Sequence, residues 1–338
     1  MIELLCAAEA TPDNPQWHKL RRNGIGASEI AAVMGISPWD SPFSLYWRKV
    51  LGSEVEPTDD MSTGTRLEPV IADWWADTHG TPSGLVVARA GLYAHPERPW
   101  QLATPDRLVH PTCACCSDGR CGCSDCRNTG VGGPPHAVLE CKWVSTWDGW
   151  GQPGSDEIPV HYRAQTLWQC DVLGVGEWHL AALGPSGFRA YRGVIGSRER
   201  RDLTLMREHA VRFLRQLEAG SPPSIDSHAA TLAMLKELHP DLIDEAVEVS
   251  SETATLYRRA RALRARADAL VRRAEARLRS EMGNRRVATH NGRKIAIRSV
   301  YETQRIDTGR LRDERPDIAD QYLTVTTTDR ITPVRSKS

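Results

Sequence analysis

Residues 137–144 form a short apolar run that is broken at two positions, by Glu140 and Lys142. A run of this length and composition reads as a buried β-strand. Strand side chains alternate between faces. Glu140 and Lys142 therefore share one face, and Leu139, Cys141 and Trp143 take the other. A carboxylate and an ammonium on an otherwise apolar strand are costly to bury unless they pair, bind metal or border a wet cleft. Upstream, Asp106 ends a second apolar run, Gln101 to Pro105. The two acids and the lysine are expected to converge at one sheet edge. Acids that hold a hard divalent cation, with a lysine near an attacking water, are the parts of a metal-dependent phosphodiesterase site.

Length limits the architecture that can surround such a strand. At 338 residues the chain has room for one large or two ordinary domains. Its 40% apolar and 25% charged content is that of a soluble globular protein. No apolar run reaches the roughly 18 residues a membrane span needs, and the N-terminus lacks the basic start of a secretory signal. A cytoplasmic protein is expected. Formal net charge is zero, so any nucleic-acid affinity must come from local patches.

All eleven tryptophans lie at or before Trp178, which places the main core in the first half. Beyond about residue 195 the chain turns Arg- and Ala-rich, and Gly220 to Ser224 reads as a linker. We expect a domain over 1–222 and a mostly helical region over 223–338. In the first half, Ser28 can cap a short helix ended by Gly35, and Ser41-Pro42 can start another ending near Gly52. A helix is expected over 61–80, with Leu67, Val70, Ile71 and Trp74 on one side and Pro69 in the first turn or at a kink. Strands are expected near 86–93, 101–109, 137–144, 178–184 and 188–195. Pro159 opens a helix to Gly174 on which Gln165 and Gln169 share a face. In the second half, 251–283 reads as one long helix with a heptad seam that includes Leu256, Leu263 and Leu270. Its arginines suit a solvated face, a self-association seam or a DNA-tracking surface. Asn291-Gly292 signals a hairpin.

These pieces resemble the lambda-exonuclease, or YqaJ, branch of the PD-(D/E)XK nucleases. Trp17 to Arg21 with Gly26-Ala-Ser28-Glu29 resembles the N-terminal signature of that family. Gly64 to Glu68 resembles its Gly-x-x-x-Glu helix. Thr104-Pro-Asp106 and Glu140-Cys-Lys142 resemble its catalytic motifs, and Tyr162 to Gln165 its Gln-bearing helix. The pieces occur in family order over about residues 15–195. The resemblance implies an α/β restriction-endonuclease-like core, a central mixed sheet flanked by helices. It implies that Glu68, Asp106, Glu140 and the backbone carbonyl of Cys141 ligate Mg²⁺ or Mn²⁺. Lys142 would orient or deprotonate the water, which a lysine of depressed pKa can do. Gln165 would support the site or contact DNA, and Arg21 and Ser28 would hold a 5′-phosphate. Helix N-termini attract phosphate in general, and Gly24 to Ser28 precedes a helix.

Six of the nine cysteines crowd into 113–126, a stretch that lengthens the gap between Asp106 and Glu140. Cys113-x-x-Cys116 and Cys123-x-x-Cys126 are two chelating pairs, the usual way to build a tetrahedral Zn²⁺ site. The expectation is a structural zinc knuckle within an insertion over 110–136, with His110 or His136 able to replace a cysteine. An iron–sulfur cluster and a metal-free loop are the alternatives. Cys6, Cys141 and Cys170 are expected to be inert buried thiols.

The resemblance implies a Mg²⁺-dependent 5′-to-3′ exonuclease on double-stranded DNA ends, in phage-type recombination. It also implies a single-strand annealing protein as partner and a homo-oligomeric ring, commonly a trimer. Two rivals remain from the residues: an endonuclease on the same core, and a non-catalytic DNA-end binding module.

Overall fold

Pro105 divides the region around Asp106. It has no N–H to give a ladder, so the strand expected over 101–109 is two strands with Asp106 between them. The computed structural model describes residues 3–6, 15–53, 58–113, 133–326 and 328–333. The first compact unit ends at Pro240 and the second starts at Asp241.

In chain order the first unit contains β1 (Glu3–Cys6), α1 (Pro15–Arg22), β2 (Ile25–Gly26), α2 (Ile30–Val33), α3 (Pro42–Leu51) and α4 (Asp59–Trp75). Then follow β3 (Leu85–Arg89), β4 (Leu92–His95), β5 (Arg98–Ala103), β6 (Arg107–Pro111) and β7 (Ala137–Trp143). It closes with α5 (Val160–Leu173), β8 (Glu177–Gly184), β9 (Gly187–Val194), α6 (Ser197–Glu218) and α7 (Ala229–Leu238).

The central sheet has the order β3-β6-β7-β8-β9. β7 and β8 are parallel and the other pairs are antiparallel, so the expected mixed sheet is present. A smaller sheet, β1-β4-β5-β2, lies beside it in sequence. The strand expected over 86–93 is split between the two sheets, at Ala90-Gly91.

The alternation in β7 decides which helix covers which face. Ala137, Leu139 and Cys141 cluster with Ile71, Ala72 and Trp75 of α4. Val138 packs instead with Ala164, Leu167 and Trp168 of α5. Glu140 and Lys142 therefore face α5, as alternation requires. Trp168 is fully buried, and its Nε1 donates to the Ile25 carbonyl at 3.2 Å. That bond ties β2 to α5 and satisfies the indole N–H. Burying each of these large side chains contributes roughly 1.5–3 kcal/mol.

α4 departs from the expected pattern. Val70 is exposed, whereas Ala72 and Trp75 are buried. Pro69 lies in the helix interior, where it removes one i→i−4 hydrogen bond. Residues 76–80 continue as a π-turn. α3 follows expectation closely. Ser41 and Ser44 form a capping box, Pro42 opens the helix, and Gly52 ends it at φ +67°.

The expected boundary at residue 222 is corrected to Pro240. α7 belongs to the first unit because the hydroxyls of Thr231 and Ser41 meet at 2.7 Å and Met234 is buried. The linker composition at 220–224 marks a surface connection, not the end of the packed core.

The second unit contains α8 (Ser251–Met282), the hairpin β10 (Val287–His290) and β11 (Arg293–Ile297), α9 (Thr308–Glu314) and α10 (Pro316–Ala319). Asn291 and Gly292 have φ of 50° and 75° at the hairpin turn, as the Asn-Gly signal requires. Along α8 the seam residues Leu256, Leu263 and Leu270 are exposed.

Candidate active site

Glu140 is 2% exposed, so its charge must be met within the protein. Oε1 accepts from Lys142 Nζ at 2.5 Å and from Gln165 Nε2. Oε2 accepts from Gln169 Nε2 at 2.7 Å. The two glutamines are one helical turn apart on α5, which is why both reach one carboxylate. Asp106, just before β6, accepts at Oδ2 from the Cys141 N–H at 2.7 Å. The backbone of β7 thus holds one acid while its neighbouring side chain supplies the other.

The electrostatics follow from this crowding. Burial, then the nearby Glu140 and Glu68 charges, raise the Asp106 carboxyl well above the usual range, against the opposing pull of Lys142 and the Cys141 N–H. Burial works against the Lys142 ammonium, but Glu140 and Asp106 more than offset it and hold its pKa above the ordinary lysine value. Of the two roles expected of Lys142, orienting the water and deprotonating it, a raised pKa favours the first.

Glu68 comes from α4, on the opposite face of the sheet. Its Oε1 accepts from Arg107 Nη1 at 2.7 Å, and the same nitrogen donates to the Asp106 carbonyl at 2.6 Å. The structure therefore joins Glu140, Lys142 and Gln165 directly and holds Asp106 beside them through the Cys141 N–H. Glu68 is linked to them through Arg107, and its charge reaches Asp106. Cys141 contributes its N–H, while its thiol lies on the α4 face and burial pushes its pKa up. Cys170 is buried, with its pKa raised for the same reason.

Three further residues border the site without having been given a role from sequence. Gln169 was placed on one helix face with Gln165. Its Oε1 is a buried acceptor with no hydrogen-bond partner among the described residues. Tyr162 places its ring 5.3 Å from Lys142 Nζ, and burial raises its phenol pKa. His161 is neutral, because burial and then Lys142 lower its pKa to about 4. Tyr162 opens the motif that ends at Gln165, and nothing in the pattern marked His161.

Arg21 and Ser28 are also brought together, with Nη2 donating to the Ser28 hydroxyl at 2.8 Å. Trp17 lies 4.4 Å from the guanidinium and fixes its position. Behind them Glu29 accepts from the Gly26 N–H at 2.7 Å and pairs with Lys49 at 3.0 Å. Burial opposes the Glu29 charge, but Lys49 and Arg21 outweigh it and lower its pKa. One expectation is corrected here. Ser28 does not cap the helix; Glu29 occupies the N-cap position of α2, and α2 is a single turn. A dipole from so short a helix is weak, so the pocket rests on Arg21 and Ser28.

Of the chelating cysteines, Cys113 is described and buried. Cys116, Cys123 and Cys126 lie outside the described residues. Among the described residues no helix is long and apolar enough to cross a membrane.

The donor set fits a hard divalent cation. Asp106 and Glu140 offer carboxylate oxygens on adjacent strands, and a 2+ charge would relieve the repulsion that raises Asp106. Comparison with known proteins agrees with the sequence pattern. The chain is 23% identical to the uncharacterized protein YqaJ of Bacillus subtilis (strain 168) over 321 residues, 90% of this chain and 88% of that one. The alkaline exonuclease LHK-Exo from Laribacter hongkongensis is 19% identical in its solved structure, with a TM-score of 0.42, covering 67% of this chain and 99% of that one. Its complex with dAMP gives 19% identity and a TM-score of 0.43, covering 67% and 97%. The stretch that holds Arg21, Ser28, Asp106, Glu140, Lys142 and Gln165 matches a family model throughout: residues 16–175 are similar to the YqaJ-like viral recombinase domain.

Proposed function

We propose that the chain is a Mg²⁺- or Mn²⁺-dependent exonuclease that degrades double-stranded DNA from 5′ ends. The observation that carries this is that Asp106, just before β6, is held by the Cys141 N–H of β7, between Glu140 and its partner Lys142. Asp106 and Glu140 would hold the ion, with Glu68 and the Cys141 carbonyl as further oxygen donors. When bound, the ion supplies charge stabilisation at the phosphate and lowers the pKa of water. Gln165 and Gln169 fix both oxygens of Glu140, so the carboxylate cannot swing away. Lys142 donates a hydrogen bond to the attacking water or to a phosphate oxygen and thereby orients it. Arg21 and Ser28 present a guanidinium and a hydroxyl to a terminal phosphate.

The cysteine pairs are proposed to hold one structural Zn²⁺. A single-strand annealing partner and a ring-shaped homo-oligomer complete the proposal and rest on family resemblance.

The test compares end-labelled linear duplex with closed circular duplex, in Mg²⁺ and in EDTA. Digestion of the linear form alone, and only with metal, is expected. Cutting of the circle would favour an endonuclease. Linear duplex carrying a 5′-phosphate should be digested faster than duplex with a 5′-hydroxyl, and Arg21→Ala should remove that difference. A charged hydrogen bond of this kind contributes about 1.5–3 kcal/mol, so the preference should be on the order of tenfold to a hundredfold. Equal rates for wild type on both ends would remove the pocket from the proposal.

A further inference from the structure

A second cluster of metal-binding side chains lies at the N-terminal ends of β7 and β8. His136 immediately precedes β7. Glu177 opens β8 in register with Ala137, and His179 follows in register with Leu139. Parallel pairing thus brings the three residues to one corner of the sheet. One donor atom from each lies within 4.8 Å of the other two. Glu140 is three residues beyond Ala137, roughly 10 Å along the strand, and faces α5. His179 faces α4, where its ring lies 4.8 Å from that of Trp75. The cluster is therefore separate from the acids of the nuclease site.

An independent observation points to a ligand. His179 is 7% exposed, and its Nε2 is buried with no hydrogen-bond partner among the described residues. That atom is 3.4 Å from Glu177 Oε1, facing the carboxylate without forming a hydrogen bond. Burial, then the neighbouring His136, Arg192 and His79, lower the His179 pKa. An unsatisfied buried polar group costs about 1–3 kcal/mol, and a neutral imidazole nitrogen is a good metal ligand. Arg192, opposite His179 on β9, opposes a cation, and Glu177 supplies the compensating negative charge.

We propose that His136, Glu177 and His179 bind one divalent transition-metal ion, Zn²⁺ by the chemistry of the donor set. Two imidazoles and one carboxylate suit Zn²⁺ with its fourth position open to water. Mg²⁺ and Ca²⁺ prefer all-oxygen surroundings. The ion staples the start of β7 to the start of β8, two strands that are not adjacent in sequence. The site is separate from the acids of the nuclease site, and it assigns His136 to this ion in place of the cysteine-replacing role that sequence also allowed.

The test uses the full chain, stripped with EDTA and titrated with Zn²⁺ alone or Co²⁺ alone. Wild type should bind one equivalent more than Glu177→Gln. The lost Co²⁺ component should lack thiolate charge-transfer bands, which separates it from cysteine ligation. Its affinity should fall by more than the roughly 10–100-fold that losing a residue which merely orients a ligand costs. Excess Mg²⁺ should leave that equivalent in place. The Glu177 side chain is 30% exposed, so the metal-free Tm of Glu177→Gln should match that of wild type. Zn²⁺ should raise the wild-type Tm by more than it raises the variant's. His136→Asn should repeat the loss. Equal stoichiometry and affinity in wild type and both variants, or displacement by Mg²⁺, would overturn the proposal.

Discussion

Lys142→Ala is expected to lower the rate of DNA cleavage by about 10²–10³-fold, the range set by loss of one positioned hydrogen-bond donor, while duplex binding persists. The lysine is held on Glu140 at 2.5 Å and is 21% exposed, so it can meet a water or phosphate that enters beside the acids. Binding is proposed to rest on other groups, Arg21 among them. Lys142→Arg should restore little, because a planar fork does not reproduce the position of a compact ammonium. Glu140 keeps Gln165 and Gln169 in the variant, and the stability cost should stay near the about 1.5–3 kcal/mol of one charged hydrogen bond. Single-turnover digestion together with a gel-shift assay reads both effects. An unchanged rate would remove Lys142 from the mechanism.

Asp106→Asn is expected to abolish cleavage yet stabilise the metal-free protein. Burial and the Glu140 charge raise the Asp106 carboxyl in the fold. A raised carboxyl favours its protonated form, so its contribution is best below the unfolded pKa of about 3.9. Stability is then lost as pH rises from there through the folded value. Asparagine has no charge to bury and still accepts the Cys141 N–H. Glu29 and Asp171 have lowered pKa values and contribute the opposite slope, since their stabilisation is lost as pH falls. The difference between wild type and Asp106→Asn therefore isolates the one carboxyl. At neutral pH the variant should melt higher, by about 2–4 °C for each kcal/mol gained, and the gap should close toward pH 4. With Mg²⁺ the order should narrow or reverse, because only wild type gains from the ion. A lower Tm for the metal-free variant at neutral pH would refute the repulsion assigned to this pair.

The central strand was legible because its chemistry is local. Alternation alone put Glu140 and Lys142 on one face, whereas the break at Pro105-Asp106 was read through as part of one strand over 101–109. The caps of α3 were legible for the same reason: Ser41, Pro42 and Gly52 each act within a few residues. What sequence did not disclose depends on pairing across distance. The smaller sheet is built from strands of two to six residues, too short for a periodic signal. Glu68 was readable as an acid on a helix, but not that Arg107 intercepts it. Sequence left both roles of Lys142 open, because the direction of its pKa depends on how burial and the two neighbouring carboxylates balance. The end of the first unit was placed too early, since a hydroxyl contact between Ser41 and Thr231 leaves no trace in composition.

Glu140 depends on α5 for two of its three partners, and α5 comes after β7 in the chain. A polypeptide still leaving the ribosome with residue 142 just exposed has the acids and the lysine but nothing to seat them. Whatever cutting power the finished molecule has is thus withheld during synthesis, until the glutamine-bearing helix and its following strand have emerged.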